Sequence, residues 1–204
     1  MYKGNKGFIL KFGDLAKTLS LEDWKTTSLE DLDSDTEWVA IVTDDAEAYL
    51  NEINAIVTKM KHPKTCFVID LHPCANYKHL QKLWDNYMMV DRESVEVLLS
   101  FIHHHLVNHS MISFTIQDFR VCSVPYPFVK AVSADIVKDA SIDPNAQAMC
   151  YGLCFEQACG LGTSYVNVFA KTTDKIDEDK SVPWSIQNSS DNVIEAIFFY
   201  ERKF

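Results

Sequence analysis

At 204 residues, 47% of them apolar and with 12 Phe, 8 Tyr and 4 Trp, the chain has the material for a substantial core and reads as one globular domain over 1–204. Nineteen Lys and Arg against 29 Asp and Glu leave a net charge of −10, which argues against neutralising a phosphate backbone, so no nucleic-acid partner is expected. No stretch approaches the roughly 18–20 apolar residues of a membrane span, and the apolar run Phe8–Leu10 is too short for a signal-peptide core.

The six cysteines are therefore expected as reduced thiols in the cytoplasm, or in the host cytoplasm if the source is viral. Residues 6–12 read as a first strand stopped by Gly13-Asp14, followed by a polar connection over 14–36 with a short helix near Leu21–Trp24. From Glu30 to Glu47 there are eight acidic residues and no basic one, the pattern of a solvated acidic face. Inside that segment Trp38-Val39-Ala40-Ile41-Val42 is a buried strand, ended by Thr43-Asp44-Asp45. Asp44 or Asp45 caps a helix over 46–61, with Tyr49, Ile53, Ile56, Val57 and Met60 on one face.

A second buried strand covers 65–71, and Pro73 breaks it. Helices are expected over 75–89 and from Asp91 onward, the latter carrying Val95, Leu98, Leu99, Ile102 and Leu106 at helical spacing. Alternation at Ile112, Phe114 and Ile116, with a phase change at Gln117-Asp118, reads as a bulged strand over 111–122. Pro125-Tyr126-Pro127 marks an exposed turn, and Asp143-Pro144 opens a helix that Gly160 closes. A strand over 163–170, a polar loop over 172–192 with Pro183-Trp184, and a closing strand over 193–200 complete the chain. The closing strand is apolar on both faces, which places it centrally in a sheet.

A helix between two buried strands predicts a parallel βαβ unit. The expected class is α/β, with α+β as the alternative: a mixed sheet containing that unit, helices packed on it, and an antiparallel C-terminal strand pair. A parallel pairing puts Asp44, Asp45 and Asp70 on one sheet edge, where open α/β folds hold ligands. Carboxylates there suit Mg²⁺, which takes one or two protein carboxylates and fills its shell with water and phosphate oxygens. His72 and Asp70 are then the candidate acid/base groups. Helix capping accounts for the same acidic residues without a ligand.

The segments Val39-Ala40-Ile41-Val42-Thr43-Asp44-Asp45 and Phe67-Val68-Ile69-Asp70-Leu71-His72 resemble the acidic pocket of response-regulator receiver domains. The resemblance implies a shared Mg²⁺ held by Asp44, Asp45 and a phospho-accepting Asp70. It covers two short segments, and that family places a further helix and strand between them.

Other clusters are weaker. His62, Cys66, His72, Cys74 and His79 are zinc-type ligands without a CxxC or HxxxH pair, and only His72, Cys74 and His79 are near enough to converge. His103-His104-His105 and His109 flank an apolar stripe; His105 and His109 have chelating spacing, but boundary histidines are the simpler reading. Cys150, Cys154 and Cys159 read as buried inert thiols. Gln157-Ala158-Cys159-Gly160 echoes the caspase signature, with His109 fifty residues upstream, but lacks its strand context. No Walker A, dinucleotide or G-x-S-x-G pattern occurs.

The composite expectation is a cytosolic acidic protein acting through protein–protein contact, as a structural, adaptor or phage or viral accessory protein without an enzymatic step. Its partner is another protein or a second copy, and Tyr126 and Trp184 are the candidate anchors because rigid aromatics lose little entropy on binding. The alternative is a Mg²⁺-dependent phosphate-handling or receiver-like domain built on the acidic strand ends. A cysteine-dependent hydrolase using Cys159 or Cys74 stands third.

Overall fold

The computed structural model describes residues 7–20, 30, 32, 36–60, 65–72, 74–107, 115–135, 143–155, 167, 170, 174, 180, 182–189 and 193–202. The chain divides into two compact units, Met1–Arg92 and Glu93–Phe204. The N-terminal unit is a parallel sheet of β1 (Gly7–Phe12), β2 (Trp38–Thr43), β3 (Cys66–Asp70) and β4 (Asn86–Val90), each strand beside its predecessor. Every residue of β2, β3 and β4 is buried. Parallel strands covered on both faces need such continuous apolar runs, which is why Trp38–Val42 and Cys66–Ile69 lack alternation.

The predicted βαβ unit is present. α2 (Leu50–Lys59) joins β2 to β3, burying Ile53 and Ile56, and the pairing Thr43↔Asp70 ends the two strands at one level. α2 starts later than the expected 46–61, because residues 46–49 form a turn. The expected helix over 75–89 is two elements: α3 (Tyr77–Leu83), then β4. Tyr87-Met88-Met89-Val90 has no polar face for a surface helix, and β3 offers it a free ladder, so the run pairs as a strand. Trp84 turns the chain between them, its Nε1 donating to Asn54 Oδ1 at 2.8 Å.

In the C-terminal unit a 3-10 turn, Arg92–Ser94, leads into α4 (Val95–Phe101), which widens into a π-helical segment over Ile102–Val107. α5 (Ile116–Ser123) precedes β5 (Phe128–Asp135), β6 (Ala148–Phe155), β7 (Trp184–Asn188) and β8 (Val193–Tyr200). β8 is antiparallel to both β5 and β6, and β6 is parallel to β7. The C-terminal strand is thus central, as its two apolar faces require. Of the strand expected over 163–170 only Asn167 and Ala170 are described, and both are helical; the helix near Leu21–Trp24 and the segment 111–114 lie outside the described residues.

Two assignments change class. The stretch read as a bulged strand contains α5, because Thr115 and Asp118 form a capping box: Thr115 Oγ1 accepts from Asp118 N at 3.2 Å and Asp118 Oδ2 accepts from Thr115 N at 2.7 Å. The stretch read as a helix from Asp143 to Gly160 contains β6. Asp143 does not cap a helix; its carboxylate accepts from Asn145 N at 2.9 Å and Tyr200 Oη at 2.7 Å, closing a turn. Partners on both sides then decide for strand over residues whose local preference is indifferent.

Candidate functional site

The register gathers the acidic residues at the carboxyl edge of the N-terminal unit, and each carboxylate is engaged there by backbone amides. Asp44 accepts from Leu15 N at 2.7 Å and Ala16 N at 2.5 Å, the first amides of α1 (Asp14–Lys17). Gly13, at φ 88°, permits this approach; a Cβ there would enter the Asp44 carboxylate. The amides that an open α/β fold offers to an anion are thus filled from within the chain. Asp45 is exposed, and its Oδ1 accepts from Glu47 N at 3.0 Å and Ala48 N at 3.1 Å.

Asp70 is buried. Its Oδ2 accepts from Tyr87 Oη at 2.8 Å and Ala46 N at 3.4 Å, and its Oδ1 from His72 N at 3.1 Å. Burial lifts its carboxyl to about 6 even though these three bonds pull it down. Burial likewise drives the Tyr87 hydroxyl far above its ordinary range, with the Asp70 charge adding to it. The His72 side chain is exposed. Cys74 is half-buried, its thiol raised by burial and by Glu47 and Asp70, which disfavours a nucleophilic thiolate. His79 is exposed, and Cys66 is buried at the foot of β3 with its thiol pushed up to about 12. Asp44 thus closes the α1 amides, Asp45 closes the turn over 46–49 and Asp70 is a buried acid; neither Asp44 nor Asp45 caps α2 as expected, since that helix starts after Tyr49 with no side-chain cap. The ligand atoms of these three acids, and those of His72, Cys74 and His79, do not form a convergent group.

Among the described residues, the one group with ligand atoms within 4.8 Å of one another lies in the C-terminal unit: His104, His105, Cys154 and Glu195. Cross-strand register explains it. Ser185, Gly152 and Glu195 form one row across β7, β6 and β8, and Cys154 lies two residues along β6 on the same face. Gly152 leaves the row open, and the His105 ring fills that space; a Cβ at 152 would collide with it. Ser185 Oγ sits 2.5 Å from His105 Nδ1, which turns His105 Nε2 toward Cys154 Sγ at 3.5 Å and Glu195 Oε2 at 3.3 Å.

His104 Nδ1 reaches the same point, 3.7 Å from Cys154 Sγ and 3.6 Å from Glu195 Oε2. Ser100 donates to the other carboxylate oxygen, Glu195 Oε1, and lies 3.2 Å from His104 Nδ1. Oε2 is buried close to both rings without a well-directed hydrogen bond to either. Burial acts to raise Glu195, but His104, His105 and Ser100 outweigh it and hold the carboxyl at about 2. His105 is pushed down by burial, against the pull of Glu195. His105, Cys154, Ser185 and Glu195 are all buried, and the His104 side chain is 25% exposed.

The sequence signal for this cluster was Glu195, the one charge within Val-Ile-Glu-Ala-Ile-Phe-Phe-Tyr, since a buried carboxylate requires partners. Cys154 was read as a helix residue, and His104 as a boundary residue. His62, His109 and Cys159 lie outside the described residues. Of the two expected anchors, Tyr126 is half-buried and Trp184 is half-buried against the cluster containing Tyr151, Ile186 and Phe198. More exposed are Val121 at 54% on α5 and Val124 at 43%, its C-cap residue one turn further on. No helix among the described residues is long and apolar enough to cross a membrane.

No protein-family model and no curated protein matches the chain. Among solved structures it is similar to a point variant of FtsZ from M. jannaschii, at 10% identity and a TM-score of 0.46, covering 81% of this chain and 66% of that one. CetZ from Methanosaeta thermophila follows at 10% identity and a TM-score of 0.39, covering 81% of this chain and 53% of that one. GDP-form protofilaments of Bacillus thuringiensis serovar israelensis TubZ match at 13% identity and a TM-score of 0.38, over 79% of this chain and 53% of that one. The chain spans from 53% to 66% of the length of these neighbours.

Proposed function

We propose that this chain acts through protein–protein contact, as a cytoplasmic structural or adaptor protein, and that α5 with its following turn is the contact surface. The observation that carries this reading is the exposed pair Val121 and Val124, at i and i+3 where α5 ends, Val124 being its C-cap in helical conformation. Exposed Pro125 and half-buried Tyr126 extend that surface toward β5. Adjacent exposed apolar side chains beside a rigid aromatic make a contact surface, whereas isolated ones need no explanation. The acidic edge of the N-terminal unit supports the same reading, because Asp44 fills the α1 amides and Asp70 is buried on Tyr87.

The partner taken first is a second copy. Two copies at −10 each repel at long range, so association through an apolar patch strengthens as salt screens that repulsion. Light scattering coupled to size exclusion, across protein concentration at low and high salt, tests this. Salt-favoured dimers or larger species, lost in a Val121→Asp/Val124→Asp variant that still folds, are the expected result. A monomer at every concentration and both salts overturns the homotypic reading.

A further inference from the structure

We propose that His104 Nδ1, His105 Nε2, Cys154 Sγ and Glu195 Oε2 form a closed tetrahedral site for Zn²⁺ in the C-terminal unit. The donor types are those zinc takes: two imidazole nitrogens, a thiolate and a carboxylate. The distances fit as well. Bonds of about 2.0–2.1 Å to nitrogen and oxygen and about 2.3 Å to sulfur, at tetrahedral angles, place N and O donors about 3.3–3.4 Å apart and N and S donors about 3.5–3.6 Å apart. The observed separations are 3.3 and 3.6 Å from Glu195 Oε2 to the two imidazoles, and 3.5 and 3.7 Å from Cys154 Sγ to the same two atoms. Four of the six donor–donor separations are therefore those of a tetrahedral zinc shell, and all four atoms lie within 4.8 Å of one another.

The surroundings orient each donor as a metal requires. With Nδ1 donating to Ser185, the neutral His105 presents the lone pair of Nε2 to the centre. Ser100 holds Glu195 Oε1, leaving Oε2 inward and short of a directed bond. A divalent cation supplies that oxygen with the partner it lacks and compensates the thiolate and carboxylate together. The histidines sit on a π-helical widening at the end of α4, a distortion of the kind found at functional sites.

All four positions are protein donors, and His105, Cys154 and Glu195 are buried, so the ion holds the fold rather than receives substrate. It ties the π-helical segment to β6 and β8. The His104 side chain, 25% exposed, is the side from which the ion enters. This inference is independent of whether α5 is a contact surface.

The test uses the full-length chain without an affinity tag, stripped with a chelator and titrated with Zn²⁺ and, as a spectroscopic probe, Co²⁺. The expected result is a single equivalent bound, with tetrahedral d–d bands and a thiolate-to-cobalt charge-transfer band. Cys154→Ser removes the charge-transfer band and Cys74→Ser retains it. Ser185→Ala, which removes only the orienting partner of His105, lowers metal affinity about 10–100-fold with the spectrum unchanged in form. Should Cys154→Ser fail to fold, the wild-type spectrum together with Cys74→Ser and Ser185→Ala decides the question. A folded wild type that gives no thiolate band, or a band abolished by Cys74→Ser, overturns the proposal.

Discussion

The two units each bury a carboxylate beside a sheet, and the two acids are driven in opposite directions. Asp70 rises to about 6, because burial outweighs the downward pull of a phenol and two backbone amides, with Asp45 adding a like charge. Glu195 falls to about 2, because two imidazoles and a hydroxyl converge on it. Burial costs both of them. What differs is the set of donors facing each carboxylate: the two imidazoles and a hydroxyl at Glu195 outweigh burial, whereas the phenol and two amides at Asp70 do not.

The strongest way to break this contrast is to remove Glu195. Glu195→Ala leaves His104, His105 and Ser100 without their acceptor in a closed space, and a loss of about 3–5 kcal/mol is expected in urea unfolding. Glu195→Gln, which keeps the shape, should lose clearly less. Equal losses would mean that shape rather than charge holds the cluster.

The next effect is a pH dependence with a definite sign. Asp70 has its folded pKa raised from 3.8 to about 6, so the folded state binds the proton more tightly than the unfolded state. Stability from this group is therefore highest below about pH 4 and falls as pH rises through 6, by about 2–3 kcal/mol. In Asp70→Asn that slope between pH 4 and 6 should vanish from urea midpoints. Glu195 carries the opposite sign: its contribution is present above its ordinary 4.5 and is lost as pH falls toward about 2. A wild-type profile flat between pH 4 and 6 would place Asp70 in a more polar setting than its burial implies.

The smallest effects separate the two acids next to each other in sequence. Asp44→Ala removes the acceptor of two α1 amides and should cost about 1–2 kcal/mol, with faster amide exchange at Leu15 and Ala16. Asp45→Ala, at an exposed turn, should cost about 0.5 kcal/mol. If the order reverses, Asp44 is not the group that closes the α1 amides.

Much of the N-terminal unit was legible from residues alone. Trp38–Val42 and Cys66–Ile69 could only be covered strands, the helical pattern between them required a parallel crossover, and the acidic stops then had to share an edge. Residues 86–90, 116–123 and 148–155 were misassigned, for two kinds of reason. At Thr115 a short-range signal was overlooked: the capping box outweighs the alternation downstream of it. At 86–90 the lack of a polar face argued against a surface helix, and at 148–155 no short-range signal decides; in both the neighbouring strands settle the class.

The sequence by itself determined the mixed α/β class, the parallel βαβ unit with its acidic edge, and the central place of the last strand. Those follow from periodicity and hydrophobicity, which are local. Only the tertiary structure decided that Asp44 turns onto the α1 amides and that His105, Cys154, Ser185 and Glu195 meet over Gly152. Those residues lie up to 90 positions apart in the chain, and the row that unites them is set by strand register. Register is a property of paired strands and of the space a glycine leaves between them, so no single segment contains it.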